Sequence, residues 1–501
     1  MTPVEPQQGA GTETAPLNKE NDMTDVTNLG ANRLRKNSLG LIAVTFMVVS
    51  AAAPLTGVAG AMPLAFLLGN GAGVPLTFAL LTLVMLAFAV GYVAMSRHVT
   101  NAGAFYAYAA RGLGGHTGGA VSMMALVSYN AMQFGLIGLF GGIAAGVFGS
   151  MGINLPWYVW GLIAVLLVGV LGYRQVDLSA KVLVVLVALE YLIVLIVDAA
   201  ILIKGGPAGT TAPLFDFSAL NSGSLTAAVL FCLGSFIGIE ATTIYGEEAK
   251  TPEKTIPQAT YLAVLLIGIF FIFTTWLMIK AVGSENLVPT LGGLPDPTTF
   301  FFDLTGQYVG GTAATIAGLL LVSSLFAALS AFHNYVARYT YVAGREGLLP
   351  AMFGQTHDAH QSPHIGSVAQ TIGSLIVLAI FAALRLDPIL NMFTWVSQVG
   401  TLGVLLMMSI TSISVIAFFR KRGDGAPIST LILSLGAAVI MAVLFVYIFR
   451  NFGDLTGTTG GALGWILPSL IPAAGVVGWS LAARLKATDP AAFGKLGENR
   501  L

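Results

Sequence analysis

Apolar residues run through this sequence in unbroken stretches rather than in alternation. Twelve stretches stand out, at 39–68, 74–96, 117–148, 156–173, 178–203, 225–248, 259–282, 312–343, 365–384, 389–419, 428–449 and 463–484. A helix needs about 20 apolar residues to cross roughly 30 Å of hydrocarbon. Strands of a membrane barrel alternate apolar and polar positions, and these stretches do not. A backbone in lipid must satisfy its own N–H and C=O groups, so each stretch is expected to be a helix or a pair of half-helices. The expected fold is an all-α polytopic membrane protein of about 12 transmembrane helices.

Two stretches carry interruptions. The first contains Ser50-Ala-Ala-Ala-Pro54-Leu-Thr-Gly57-Val-Ala-Gly60, and the sixth contains Gly234-Ser-Phe-Ile-Gly238-Ile-Glu240. Proline removes a backbone donor and glycine weakens a helix. Either pattern alone reads equally well as a kink or a packing contact. Breaks in the first and sixth stretches, with a carboxylate inside the second of them, point to an inverted-repeat transporter with broken helices.

Composition agrees with a bilayer setting. Of 501 residues, 56% are hydrophobic and 9% charged, against about 25% charged in soluble domains. Mean hydropathy is +0.83. The 60 glycines suit close helix packing. Net charge is zero, so no global field points to nucleic acid. The single cysteine, Cys232, excludes an intrachain disulfide and reads as a packed thiol. No H-E-x-x-H, G-x-S-x-G, Walker loop or paired metal-ligand spacing occurs, so no enzyme, cofactor or metal centre is expected. No ring of charges or carbonyl-filter motif suggests a channel.

Lys and Arg placement sets an orientation. With the N-terminus inside, only Lys204, Lys280, Arg385 and Arg450 of the 23 basic residues fall outside. Both termini are therefore expected in the cytoplasm. Residues 1–36 are polar, lack the charged-then-apolar pattern of a cleavable leader, and read as a disordered cytoplasmic tail.

Three motifs carry a family resemblance. Tyr245-Gly-Glu-Glu-Ala-Lys-Thr-Pro-Glu-Lys-Thr-Ile-Pro-Gln-Ala259 resembles a signature of the amino acid–polyamine–organocation superfamily. Asn101-Ala-Gly-Ala-Phe-Tyr-Ala-Tyr108 resembles its Gly-Gly-x-Tyr-x-Tyr stretch, with Ala102 replacing the first glycine. Gly344-Arg-Glu-Gly-Leu-Leu-Pro350 resembles its Asp-Gly-x-x-Pro stretch, with Glu346 replacing the aspartate. The resemblance implies a five-plus-five inverted repeat at 37–203 and 224–420, two peripheral helices within 426–485, and a cytoplasmic tail at 486–501. It also implies alternating access around a midplane site between spans one, three, six, eight and ten.

By the same resemblance, the substrate-binding asparagine of the arginine/agmatine exchangers falls at Gln133, with Tyr129 one turn earlier. Their aromatic on span eight falls at Phe332. Their gating tryptophan falls at Gly234, so that lid is either absent or supplied by Phe236. Their glutamate after the sixth-span break falls at Glu240, read here as a backbone tether with a second role in coupling. Their first-span break falls near Thr56-Gly57-Val58.

The chemistry of an amino acid fits such breaks. A half-helix N-terminus suits a carboxylate and a half-helix C-terminus suits an ammonium. The amides of Thr56, Gly57, Val58, Ala59 and Gly60 are expected to take the carboxylate. The carbonyls of Phe236, Ile237, Gly238 and Ile239 are expected to take the amine. Phe236, Phe332 and Trp395 are candidate gates, and Ser397 and Gln398 beside Trp395 belong to the same reading. Glu190, mid-span in the fifth stretch, is the coupling candidate, because an ionisable group at membrane depth is a functional hypothesis by default. In proton-dependent members of the superfamily the aligned position carries a lysine. Glu190 reads as a proton carrier, as a cation ligand, or as a buried carboxylate bonded to Tyr or Ser for packing. Asp198 reads as a snorkelling or capping group near the outer boundary, and His333 as a hydrogen-bonded packing residue or a proton relay. Arg33, Arg35 and Lys36 face Glu247 and Glu248 in topology, as an ion-paired inner gate or as a plain positive-inside anchor.

Together these residues describe a secondary active transporter of amino acids or related amines in an inner (plasma) membrane, coupled to protons. Exchange, sodium coupling and a non-transporting sensor stay open. A polyamine or arginine carrier would be expected to place extra acids or aromatics around the distal amine, so the pocket leans towards neutral or small amino acids.

Overall fold

The computed structural model describes residues 2, 40–99, 103–174, 180–244, 249–358, 360, 362–423, 425–457 and 461–498. The remainder of the 1–36 tail, with Arg33, Arg35 and Lys36, lies outside the described residues, as do Glu247 and Glu248 and hence the expected ion-pair gate.

Among the described residues there are helices and no strands. Nine helical stretches of the described residues are long and apolar enough to cross a membrane, and Trp157–Tyr173 and Leu225–Gly234 add two shorter apolar helices. One of the nine, Thr56–Ser96, joins the second half of the first span to the second span. The twelve expected spans are therefore each represented, and the chain is an all-α polytopic membrane protein.

The broken regions differ from plain kinks. The first span is helical over Leu41–Ala52. It then turns at Ala53, whose φ is +43°. It continues as a π-helix over Thr56–Ala61. The sixth span is helical over Leu225–Gly234, capped by Ser224. Hydrogen-bonded turns follow to Glu240, with Gly238 at φ +111°, and a short helix resumes at Ala241–Ile244. The tenth span opens as a ten-residue π-helix, Pro388–Ser397, before becoming α-helical over Gln398–Arg422. Asp387 starts it by accepting the Ile389 and Leu390 N–H groups at 2.8 and 2.6 Å. Departures from i→i+4 bonding of this kind occur frequently at functional sites.

The third span, Gly115–Ser150, is the axis of the bundle and packs against the eighth (Gly311–Arg345), tenth and twelfth (Ala462–Thr488) spans. Its contact with the tenth is backbone-close. A Cβ on Gly135 would sit 2.7 Å from the Ser397 nitrogen, and one on Gly138 would sit 2.5 Å from the Pro388 oxygen. Only glycine permits that approach. In the tenth span 72% of the apolar window is buried, against 28% in the ninth (His364–Ala383), eleventh (Ile428–Arg450) and twelfth. The last three therefore present most of their apolar surface to lipid.

Short helices at the span ends were not anticipated. Phe105–Leu113, Leu287–Gly292, Phe300–Tyr308 and Pro490–Gly494 are too short to register as apolar runs. The first of these joins two of the sequence motifs, because the Tyr106 hydroxyl donates to the buried carboxylate of Glu346. Glu346 also accepts the Gly497 N–H at 3.2 Å.

Candidate functional site

A cavity of about 60 Å³ lies where the two interrupted spans meet the third, eighth and tenth. Ala53, Thr56, Gly57 and Ala61 form its first-span wall, and Phe231, Gly234, Ser235 and Ile237 its sixth-span wall. Met132 and Leu136 come from the third span, Ala328 and Phe332 from the eighth. Phe393, Ser397, Gln398 and Thr401 complete it from the tenth. No charged side chain is among these residues.

Aromatic layers bound the cavity. Phe231 and Phe393 meet on one side with ring centroids 6.3 Å apart. On the side of the bundle bearing Arg111 and Arg345, Phe332 lies 6.2 Å from Tyr129, and Tyr129 lies 5.4 Å from Tyr339. The Tyr339 hydroxyl donates to the Gly103 carbonyl at 3.0 Å, which ties this layer to the loop after the second span, Val74–Ser96.

Each break has a carboxylate on one of its free amides. Glu190, on the fifth span (Ala180–Lys204), is buried and accepts the Leu55 N–H at 3.3 Å, one residue before the π-helix begins. Beside it, Thr56 and Ser324 share a hydroxyl hydrogen bond of 3.2 Å, which links the first break to the eighth span. In the sixth span, Glu240 folds back on its own chain. Its Oε2 accepts the Gly238 N–H at 2.8 Å, and its Oε1 accepts the Tyr129 hydroxyl at 2.7 Å. Its carbonyl accepts the Tyr92 hydroxyl at 3.0 Å. Free amides at a half-helix start carry partial positive charge, so a carboxylate belongs there electrostatically.

Several expected site residues line the cavity and several do not. Thr56, Gly57, Ile237 and Phe332 line it. Val58, Ala59 and Gly60 are buried in the π-helix but are not part of its wall. Phe236 packs against Phe78, centroids 6.2 Å apart. Gly238 and Ile239 belong to the turn held by Glu240. Tyr129 contributes its ring to the layer beneath. Gln133 turns aside: Gln370 donates to its Oε1 at 2.6 Å, and its Nε2 lies 3.4 Å from His333 Nδ1. His333 Nε2 in turn bonds Ser367 at 2.7 Å, a packing network between the third, eighth and ninth spans. Trp395 is half-buried and outside the wall.

Asp198 departs from its reading as a snorkelling group. It is buried, and Thr274 of the seventh span (Pro252–Val282) donates to it at 2.7 Å. The sequence reading also missed Ser235, Thr401 and Ser324. The only signal available for them was hydroxyl residues within apolar runs, which fits many packing positions as well. Among the described residues, no group of three or more His, Cys, Asp and Glu is placed to hold a metal ion.

Comparison with known proteins bears on what such a cavity serves. The family model described as amino acid permease matches residues 39–460. The low-affinity putrescine importer PlaP of Escherichia coli strain K12 is 26% identical, over 70% of this chain and 74% of its own. The branched-chain amino acid permease BcaP of Bacillus subtilis strain 168 is 22% identical, over 80% of this chain and 85% of its own. Cationic amino acid transporter 4, vacuolar, of Arabidopsis thaliana is 28% identical, over 47% of this chain and 36% of its own.

Proposed function

The chain belongs to the amino acid permease family, and we propose that it is a proton-coupled carrier of neutral amino acids working by alternating access. The family and these relatives are membrane transporters of amino acids or amines, not enzymes. The finer reading rests on the site.

The observation that carries proton coupling is the contact of Glu190 with the Leu55 amide at the first break. In the proposed cycle, the ionised carboxylate holds the amide and keeps the two halves of the first span in one relative position. Protonation weakens that acceptor and frees the break to rearrange. A charge-assisted bond to an N–H is roughly twice as strong as a neutral one, so one proton changes the restraint on the span beside the substrate. The substrate carboxylate meets the amides of the first break from Thr56 onward, and its ammonium meets the carbonyls between Phe236 and Ile239. Phe332 over Tyr129 closes the inner path, and Phe231 against Phe393 closes the outer one. Residues 37–203 and 224–420 act as the two inverted repeats. The end rich in Lys and Arg faces the cytoplasm of a plasma membrane, with both termini inside.

Substrate class follows from the wall. An amine with a second positive charge would need an acid in the cavity, and none lines it. That weighs against putrescine, although PlaP imports it, and favours a neutral amino acid. A second reading, amine import or exchange, is supported by the similarity to PlaP alone.

Purified protein in liposomes with an inward proton gradient tests the reading. Gradient-driven accumulation of a labelled neutral amino acid is expected. Glu190→Gln should abolish accumulation and leave exchange of internal for external substrate intact. Accumulation that survives in Glu190→Gln, or that follows sodium and ignores the proton gradient, overturns proton coupling through Glu190.

A further inference from the structure

Two polar atoms in the wall of the cavity have no partner. The Ser235 hydroxyl and the Gln398 Oε1 are each fully shielded and make no hydrogen bond, and both residues are at most 4% exposed. Native proteins rarely leave buried polar groups unpaired, and each such group calls for an explanation. Other polar groups of the same wall are engaged. Thr56 bonds Ser324, Ser397 donates to the Phe393 carbonyl, and Thr401 donates to the Ser397 carbonyl. The two orphans are therefore not part of a general looseness of the site.

Their placement is specific. Ser235 is the first residue after the sixth-span helix ends, and Gln398 is the first α-helical residue after the π segment of the tenth span. The sixth-span break faces the tenth span, since a Cβ on Gly234 would find only Thr401 Oγ1, at 3.7 Å, and both Ser235 and Gln398 line the same cavity. Gly234 itself leaves that side of the cavity open. The remaining polar residues of this wall, Thr56, Ser397 and Thr401, are already bonded, and the others, Phe231, Phe393 and Met132 among them, are apolar.

We propose that Ser235 and Gln398 form a specificity pair that receives a hydroxyl on the substrate side chain. This rests on the cavity being the amino acid site. A carboxamide oxygen accepts only, and a serine hydroxyl both donates and accepts. A substrate hydroxyl, with one donor and two lone pairs, satisfies both. A methyl group in its place leaves both orphaned in an apolar surround. A site built to bond a hydroxyl discriminates strongly against the analogue that lacks it, whereas an apolar pocket scarcely separates the two. The substrate class assigned is a short neutral hydroxy amino acid. Glu190 and Glu240 take no part, because each is turned to a backbone amide.

Threonine and valine are near-isosteres that differ in this group, so they make the test. Binding of each is measured by calorimetry on the full-length protein in detergent, and uptake of each in proteoliposomes. Threonine is expected to be preferred by roughly tenfold or more, the size of one buried hydrogen bond. Gln398→Met keeps the volume and removes the orphan, and should bring the ratio within about threefold while valine uptake persists. Ser235→Ala should move the ratio the same way by a smaller step. The empty Gln398→Met protein should melt no lower than the wild type, because it loses an unpaired group rather than a bond. Wild-type protein that takes valine as well as threonine overturns the pair, and so does a preference that neither variant changes. Either result leaves amino acid transport standing. Binding of putrescine with no binding of any amino acid overturns the pair and the proposed function together.

Discussion

The two broken spans solve one problem in different ways. Each leaves an amide without a helical partner in the membrane interior, and each offers that amide a carboxylate. In the sixth span the acid is two residues along the same chain, with Glu240 on the Gly238 N–H at 2.8 Å. In the first it arrives from another helix, with Glu190 on the Leu55 N–H at 3.3 Å. A local tether travels with the turn it holds and survives any motion of the span. A tether from a neighbouring helix survives only while the two helices keep their relation. The difference separates a part that preserves a shape from a part that can report a movement.

Four substitutions sharpen that contrast, ordered by their effect on stability. Glu240→Ala should be the most damaging. It strands the Gly238 amide and the Tyr129 hydroxyl, each unpaired group costing about 1–3 kcal/mol, and thermal unfolding should show a clearly lower melting temperature along with lost uptake. Gly57→Ala comes next. Its Cβ would lie 2.4 Å from the Phe271 ring, which is stacked on Phe78 at 4.9 Å and cannot swing freely. Overpacking of this kind costs about 1–3 kcal/mol, read as a smaller fall in melting temperature and weaker uptake. Tyr129→Phe removes one hydroxyl bond and keeps the ring, for about 1 kcal/mol, with Glu240 still held by Gly238 in the same melting assay. Glu190→Gln should barely move the melting curve, because its carbonyl oxygen still accepts from Leu55. If that variant melts as low as Glu240→Ala, the lateral tether is structural like the local one and the contrast fails.

Hydropathy made the twelve spans legible because length and depth are written in composition. Azimuth is not. A helix apolar on every side carries no periodic signal, so nothing in the third span indicated that Gln133 turns to Gln370 and His333 while Met132 and Leu136 face the cavity. Pro54, Gly57 and Gly60 announced a break in the first span. They did not announce that the reversal sits at Ala53 with φ +43°, or that a π-helix follows. Glu190 stood out because a charge in lipid is costly, but its partner 135 residues away in sequence was not readable. That Gln398 and Ser235 each leave a polar atom unpaired was invisible for a related reason. An unpaired atom is a property of everything around it, and a sequence names only the atom.

The π segment at Pro388–Ser397 has a consequence for how this chain can change in length. Each π turn carries an extra residue relative to an α turn, as the Met392 N–H reaching back five residues to the Asp387 carbonyl at 3.1 Å illustrates. One residue can leave this segment and the helix will still close as an ordinary α-helix. Everything beyond the deletion then keeps its face, because the wider π turn and the α turn each close one revolution, and Gln398 and Thr401 stay in the cavity wall. A shorter relative with the same residues downstream would thus carry the same cavity lining.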